Sequence, residues 1–486
     1  MTAVVYTPLL AEWLALRDEL ATWVIHTGRS KGRPTGGPAL VAGVAGALTD
    51  GISAGDVVVA TEVRHRQSVV PCRAAELVAG ELRRLGLTVH AGPIVTTDHV
   101  VDSPRERHEL AASGAMAVDT ESGLLAGDDG LTVVVRVVVD TPSQRLRGIG
   151  MPRRGAQALK QLRRTAPGID AWAAATGERE LLLATPRSFC AGVERAIETV
   201  ERALETFGAP VYVRRQIVHN RHVVGDLERR GAVFVDEVDE VPEGSLLVLA
   251  AHGVAPAVRE QATERNLRVI DATCPLVAKV HQEVRRYAAH DRTVLLIGHS
   301  DHEEVIGTVG EAPGHVIVVA NAAEAETVEV PDPDNVGYAM QTTLALEEAA
   351  ETAAVLRRRF PNLTGPRKDD ICYATSNRQA GVRAIAERSD LVVVLGSQNS
   401  SNSRRLVEVA EAAGTPAVLV DDAGELTLDR LAGVRRVGIT AGASAPPALV
   451  DALVHCLSGL GPTTLTEHGS LVEDVRFALP KEVTQS

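Results

Sequence analysis

The sequence predicts an α/β protein in which parallel sheets alternate with crossover helices and several strand ends meet at one centre. Three observations carry this expectation. From about residue 179 onward, short apolar runs alternate with amphipathic stretches. Residues able to do chemistry cluster just after those runs, where ligands collect in such sheets. Cys190, Cys274 and Cys372 occupy similar strand-to-helix settings, 84 and 98 residues apart. That near-equal spacing suggests three similar α/β units, each offering one thiol to a shared centre.

The elements follow in order. In residues 1–146, "PALVAGVAGALTDG", "GDVVVATEV" and "LTVVVRVVVDTP" read as strands, and "AAELVAGELRRLGL" as a helix between them. Residues 147–178 are basic, carry Gly and Pro, and lack strand patterns, so they read as a helix plus linker and mark a domain boundary. Over residues 179–480, strands are expected at "ELLLATP", "PVYVRR", "SLLVLAAHG", "LRVIDATC", "TVLLIGH", "VIVVA", "VGYAMQTT", "LVVVLG", "PAVLV" and "RRVGITAGAS". Helices such as "CAGVERAIETVERALETFG" and "CPLVAKVHQEVRRYAAH" separate most of them.

Bulk properties narrow the function. The chain has 486 residues, enough for several domains, and 45% hydrophobic content supplies real cores. Net charge is −13 with Lys and Arg dispersed, which argues against nucleic-acid binding. Charges interrupt the apolar N-terminal stretch, so it does not read as a signal peptide. No run reaches the ~18–20 apolar residues that span a bilayer. A cytoplasmic protein with no membrane partner is expected. Five scattered cysteines do not make a disulfide scaffold, so each is an inert core residue, a ligand or a nucleophile. Cys72 and Cys456 lack the strand-end setting and read as structural.

A helix N-terminus favours thiolate, the form that binds metal. The C-x-x-C pairs common in structural zinc sites are absent. Three thiolates without a fourth would leave one iron of an iron–sulfur cluster open to substrate. Strand ends also offer His219, His252, and the run His299, His302, Glu303, Glu304. They offer Gln341, Thr342 and Thr343, then the "SQNSSNS" loop and Ser444. Protonated imidazoles with neutral hydroxyl and amide donors suit a phosphate or diphosphate.

The motifs "RSFCAGVERAI", "VHNRHVV", "AHGV", "DATCPLVAKVH", "GHSDHEEVIGT", "QTTL", "DICYATSNRQ", "NSSNS" and "TAGASAP" together resemble the 4-hydroxy-3-methylbut-2-enyl diphosphate reductase family. The resemblance implies three α/β units around a pseudo-threefold axis enclosing one 4Fe-4S cluster. It implies Cys190, Cys274 and Cys372 as cluster ligands. His219, His252, His302, Thr342, Ser400, Ser401, Asn402 and Ser444 match residues around the substrate. Glu304 matches the proton donor, acting through Thr342, with Glu303 as its neighbouring competitor. The implied reaction is reductive dehydroxylation to isopentenyl and dimethylallyl diphosphates, the last step of the non-mevalonate isoprenoid pathway. No flavin or nicotinamide fingerprint is present, so electrons are expected from a separate ferredoxin or flavodoxin. Gln398 stands where many members have Lys, and Ser376 where they have Thr; neither is a ligand position.

In residues 1–146, "AGVAGALTDGISAGDVVVATEV", "GAMAVDTESGLLA" and "VVRVVVDTP" resemble the nucleoside phosphorylase superfamily. That implies Glu121 at a ribose and Asp140 as the acid toward a purine. Thr120 and Val139 depart from the pattern, and "HTGRSKGRPTGG" is a weak phosphate loop. The expected role of this part is degenerate, structural or regulatory. The alternatives are a bifunctional protein that also cleaves purine nucleosides, and a sensor of iron or diphosphates.

Overall fold

The computed structural model describes residues 3–28, 36–144, 146, 150–367, 370–469 and 471–484. Most of the expected phosphate loop, residues 29–35, lies outside them. No described helix is long and apolar enough to cross a membrane. The chain forms two compact units. The first comprises Met1–Leu182, Asp422–Val437 and Ala448–Thr466; the second comprises Leu183–Asp421, Gly438–Pro447 and Glu467–Ser486.

The first unit is built on an eight-stranded mixed sheet. Thr132–Asp140, with the sequence TVVVRVVVD, is buried at every position. It pairs in parallel with Ala39–Ala47 and antiparallel with Val57–His65. Val89–Thr96 and Ala117–Asp119 complete a closed circuit of pairings between those two partners. A run of β-branched residues suits such a strand, covered on both faces.

Within the stretch 147–178, expected as a helix plus linker, the described residues 150–178 contain two helices. Met151–Arg164 and Ala166–Ala175 are helices of the first unit, and the former packs on Thr132–Asp140. They bury Ala158, Leu162, Ile169 and Trp172. Exposed arginines such as Arg153, Arg163 and Arg164 masked an apolar stripe of helical period.

The second unit holds the expected parallel sheets. One has the order Ala232–Val235, Val211–Arg214, Leu246–Leu249, Arg268–Asp271. Another has Val316–Val319, Thr293–Ile297, Val336–Met340. In the third, Leu391–Leu395 pairs in parallel with Ala417–Val420. Each sheet has its own apolar core, so each strand end is a fixed platform.

Candidate active site

The cysteines occupy three equivalent positions. Cys190 is the N-cap of Ala191–Phe207, Cys274 of Pro275–Ala288 and Cys372 of Tyr373–Ala386. One expectation fails in detail, because among the described residues no strand leads directly into Cys372. An irregular segment does, pinned where the Cys372 N–H donates to the Thr342 carbonyl at 3.1 Å and Asp370 accepts the Met340 N–H at 3.0 Å. The third thiol is therefore carried by the end of Val336–Met340 without belonging to it.

All twelve residues expected at the site line one cavity of about 110 Å³, together with Thr343, Tyr373, Thr375 and Phe477. Its polar rim is made largely of helix starts. Besides the cysteines, His302 caps Glu303–Gly310 and Ser400 caps Ser401–Ala412. Such ends present N–H groups and a partial positive charge to an anion. Asn402 is 5% exposed, and both of its amide atoms lack a hydrogen-bond partner among the described residues. Buried polar atoms left in that state are costly, so they point to a polar ligand.

Three imidazoles stand together. His219 and His252 stack at 4.2 Å between centroids, and His302 meets each edge-on at 6.1 Å. They were expected to be protonated, but burial pushes His219 and His302 down to about 4 and His252 well below its usual range. Two imidazolium rings at stacking distance in a low-dielectric pocket would repel strongly, which acts in the same direction. The Gln216 carbonyl accepts from Asn399 Nδ2 at 2.9 Å and lies 3.2 Å from His219 Nδ1. That arrangement assigns the His219 ring proton to Nδ1.

Glu304 is buried at 2% exposure. Its Oε1 accepts the Thr342 N–H at 2.7 Å and its Oε2 bonds the Thr342 hydroxyl at 2.8 Å. Burial raises its pKa from 4.5 to about 7, and the two Thr342 bonds hold it from rising further. It is poised to carry a proton near neutral pH. Glu303 turns away, 3.4 Å from Arg215 and 3.6 Å from His252.

Helix N-termini were expected to favour thiolates. The Thr375 N–H does donate to Cys372 Sγ at 3.3 Å. Burial outweighs this, pushing Cys274 up to about 12 and Cys372 to about 11, with neighbouring thiols adding to the rise. A bound metal displaces such protons directly. The donor set fits an iron–sulfur cluster: three thiols from three helix starts share one cavity, and Gly192 leaves room beside them. A Cβ at Gly192 would lie 2.7 Å from Cys274 Sγ and 3.8 Å from Cys190 Sγ. His219, His252 and Glu303 also offer ligand atoms within 4.8 Å of one another. Cys72 and Cys456 are buried in the first unit, away from this cavity.

In the first unit, Glu121 and Asp140 line a separate cavity of about 270 Å³ with Glu12, Thr120 and Arg107. Arg107 Nη2 is paired with Asp140 Oδ2, and both side chains are buried. Thr120 donates to Glu121. Glu12, absent from the sequence reading, accepts the N–H groups of Leu9 and Val44, and burial raises its pKa to about 7.

Comparison with known proteins adds the following. The family model described as LytB protein matches residues 181–458. The 4-hydroxy-3-methylbut-2-enyl diphosphate reductase of Acidothermus cellulolyticus is 58% identical over 307 residues, covering 63% of this chain and 90% of that protein. That of Leifsonia xyli subsp. xyli is 56% identical over 308 residues, covering 63% and 91%. The structure of E-1-hydroxy-2-methyl-but-2-enyl-4-diphosphate reductase from Plasmodium falciparum superposes with a TM-score of 0.61 at 37% identity, covering 63% of this chain and 98% of that one. A 5'-methylthioadenosine/S-adenosylhomocysteine nucleosidase from Neisseria meningitidis covers 35% of this chain and 99% of its own, at 17% identity and a TM-score of 0.30.

Proposed function

Since this chain belongs to the LytB protein family, we propose that its cysteine-lined cavity reductively dehydroxylates 4-hydroxy-3-methylbut-2-enyl diphosphate. The products are isopentenyl and dimethylallyl diphosphates, and two electrons and two protons are taken up as water leaves. The observation that carries this reading is the meeting in one cavity of three helix-capping thiols, a buried carboxyl and a rim of imidazole, hydroxyl and amide groups.

Cys190, Cys274 and Cys372 would hold a 4Fe-4S cluster. When bound, that group supplies electrons and a Lewis-acidic iron for the allylic oxygen. The chain's own residues do the rest. Ser400, Ser401, Asn402 and Ser444, with His219, His252 and His302, bind the diphosphate and orient the allylic carbon inward. Glu304 holds a proton at its carboxyl and passes it through the Thr342 hydroxyl to the departing oxygen, because hydroxide is a poor leaving group near neutral pH. Apolar Val193, Val218, Leu276 and Val277 exclude water from the reacting centre. Electrons come from a separate ferredoxin or flavodoxin, and the unpaired thiols suit a reducing cytoplasm.

Anaerobic purification tests this reading. A brown protein whose broad visible absorbance disappears in Cys274→Ser is the expected outcome. A colourless, zinc-loaded protein overturns it.

The first unit carries a different reading. Asp140, the acid implied by the nucleoside phosphorylase resemblance, is already engaged by buried Arg107. The cavity there binds without cleaving a glycosidic bond. Incubating the full chain with purine nucleosides and phosphate should release no base; catalytic release overturns this assignment.

A further inference from the structure

Residues 471–484 contain no regular element beyond the short turn Lys481–Val483, yet they are tied down repeatedly. Two arginines make the ties. Arg378 is fully buried. Its guanidinium donates to the carbonyls of Ser188 at 2.6 Å and Phe189 at 2.9 Å, just before Cys190. It donates to the Ala374 carbonyl at 3.1 Å, just after Cys372. Its remaining bonds go to both oxygens of Glu473, at 3.0 and 3.2 Å, and Asn377 donates to the same carboxylate at 3.1 Å. Arg195 repeats the pattern. It donates to the Thr273 carbonyl at 3.0 Å, just before Cys274, and to the Ala478 carbonyl at 2.7 Å. Between these anchors Phe477 reaches the cavity wall, and Leu479 and Val483 pack into the core beneath the Cys190 helix.

Every thiol-bearing turn is thus held by an arginine whose other partner lies in the C-terminal segment. We propose that residues 471–484 form a clasp that positions the three thiols around the cluster and closes that side of the cavity against solvent. Glu473 and Arg195 are positioning residues in it, and Phe477 is its apolar plug. Glu473 is what makes Arg378 tolerable in the interior, because a buried guanidinium without a counter-charge is strongly disfavoured. Tethers to backbone carbonyls fix the turns themselves, which is how a surrounding shell sets metal-ligand geometry. The proposal rests on the iron–sulfur reading of the cavity.

The test is a comparison of wild-type chain with Phe477→Ala, Phe477→Leu and Glu473→Ala. Each is reconstituted anaerobically with iron and sulfide, then exposed to air while the visible absorbance is followed. The melting temperature of each metal-free protein is recorded alongside. Both alanine variants should bleach several-fold faster than wild type. Phe477→Leu should restore most of the protection, and metal-free Phe477→Ala should melt like wild type. Bleaching at the wild-type rate in Phe477→Ala overturns the clasp, whether or not Glu473→Ala folds. A wild-type chain that takes up no iron overturns the cluster reading itself, so the two failures are distinct.

Discussion

Replacing Glu304 with Gln should abolish turnover and stabilise the metal-free protein. The carboxyl is buried with a pKa near 7 against an ordinary 4.5. Between those values the unfolded chain is ionised there and the folded chain is not, so the folded state binds more protons. Stability therefore falls as pH rises from 4.5 to about 7 and levels off above. At 1.36 kcal/mol per pKa unit, the accumulated loss is about 3 kcal/mol. A glutamine amide at the same place can still accept the Thr342 N–H and donate to its hydroxyl, and it carries no such pH dependence. The assay is chemical denaturation of both metal-free proteins at pH 4.5 and at pH 8, paired with anaerobic turnover of the reconstituted forms. The variant's advantage should be absent at the lower pH and about 3 kcal/mol at the higher. An advantage independent of pH would refute the assignment of a raised pKa to this carboxyl. Near-wild-type turnover with an intact cluster would refute its role as the acid.

Three further outcomes follow from the same geometry. Burial pushes His219 and His302 down to about 4, and a diphosphate beside them favours their charged forms, so affinity should fall as pH rises. Calorimetry with inorganic diphosphate in buffers of different ionisation enthalpy should show net proton uptake; equal heats in all buffers would contradict it. Alanine at Ser400, Ser401 or Asn402 should raise KM, whereas Gln398, exposed and donating to the Leu419 carbonyl, should tolerate the change. Gly192→Ala should lower iron content while leaving the far-UV spectrum unchanged, since its new methyl would press on Cys274 Sγ at 2.7 Å. A fully loaded Gly192→Ala would mean that the thiols need no such clearance.

Much of the site could be read from local pattern. Cys190 and Cys274 each end an apolar run and open an amphipathic one, and the N-cap position records that in sequence. Helix geometry separates Glu303 from Glu304, because adjacent residues point roughly 100° apart, but which of them faces inward depends on packing. The protonation of the thiols and imidazoles was misjudged for a related reason. A helix terminus is visible in sequence, whereas the depth of burial that overrides it is set by residues far along the chain. Arg378 and Glu473 lie 95 residues apart and meet through no periodic signal. Phe477 sits in a segment without secondary structure and offered none either. The helices at residues 151–175 were obscured by their charge, because a stripe of few apolar residues among many arginines resembles a linker.

The three thiols are supplied by helices that begin at Ala191, Pro275 and Tyr373. On the proposed cluster reading, no ribosome-bound fragment ending before the last of these has a complete ligand set. During synthesis the first two thiols are on hand well before the third. Burial of Cys274 raises its pKa and so favours the neutral thiol, a poor scavenger of stray metal. On the proposed cluster reading, maturation of this protein is therefore a late event, completed only after Cys372 has been made.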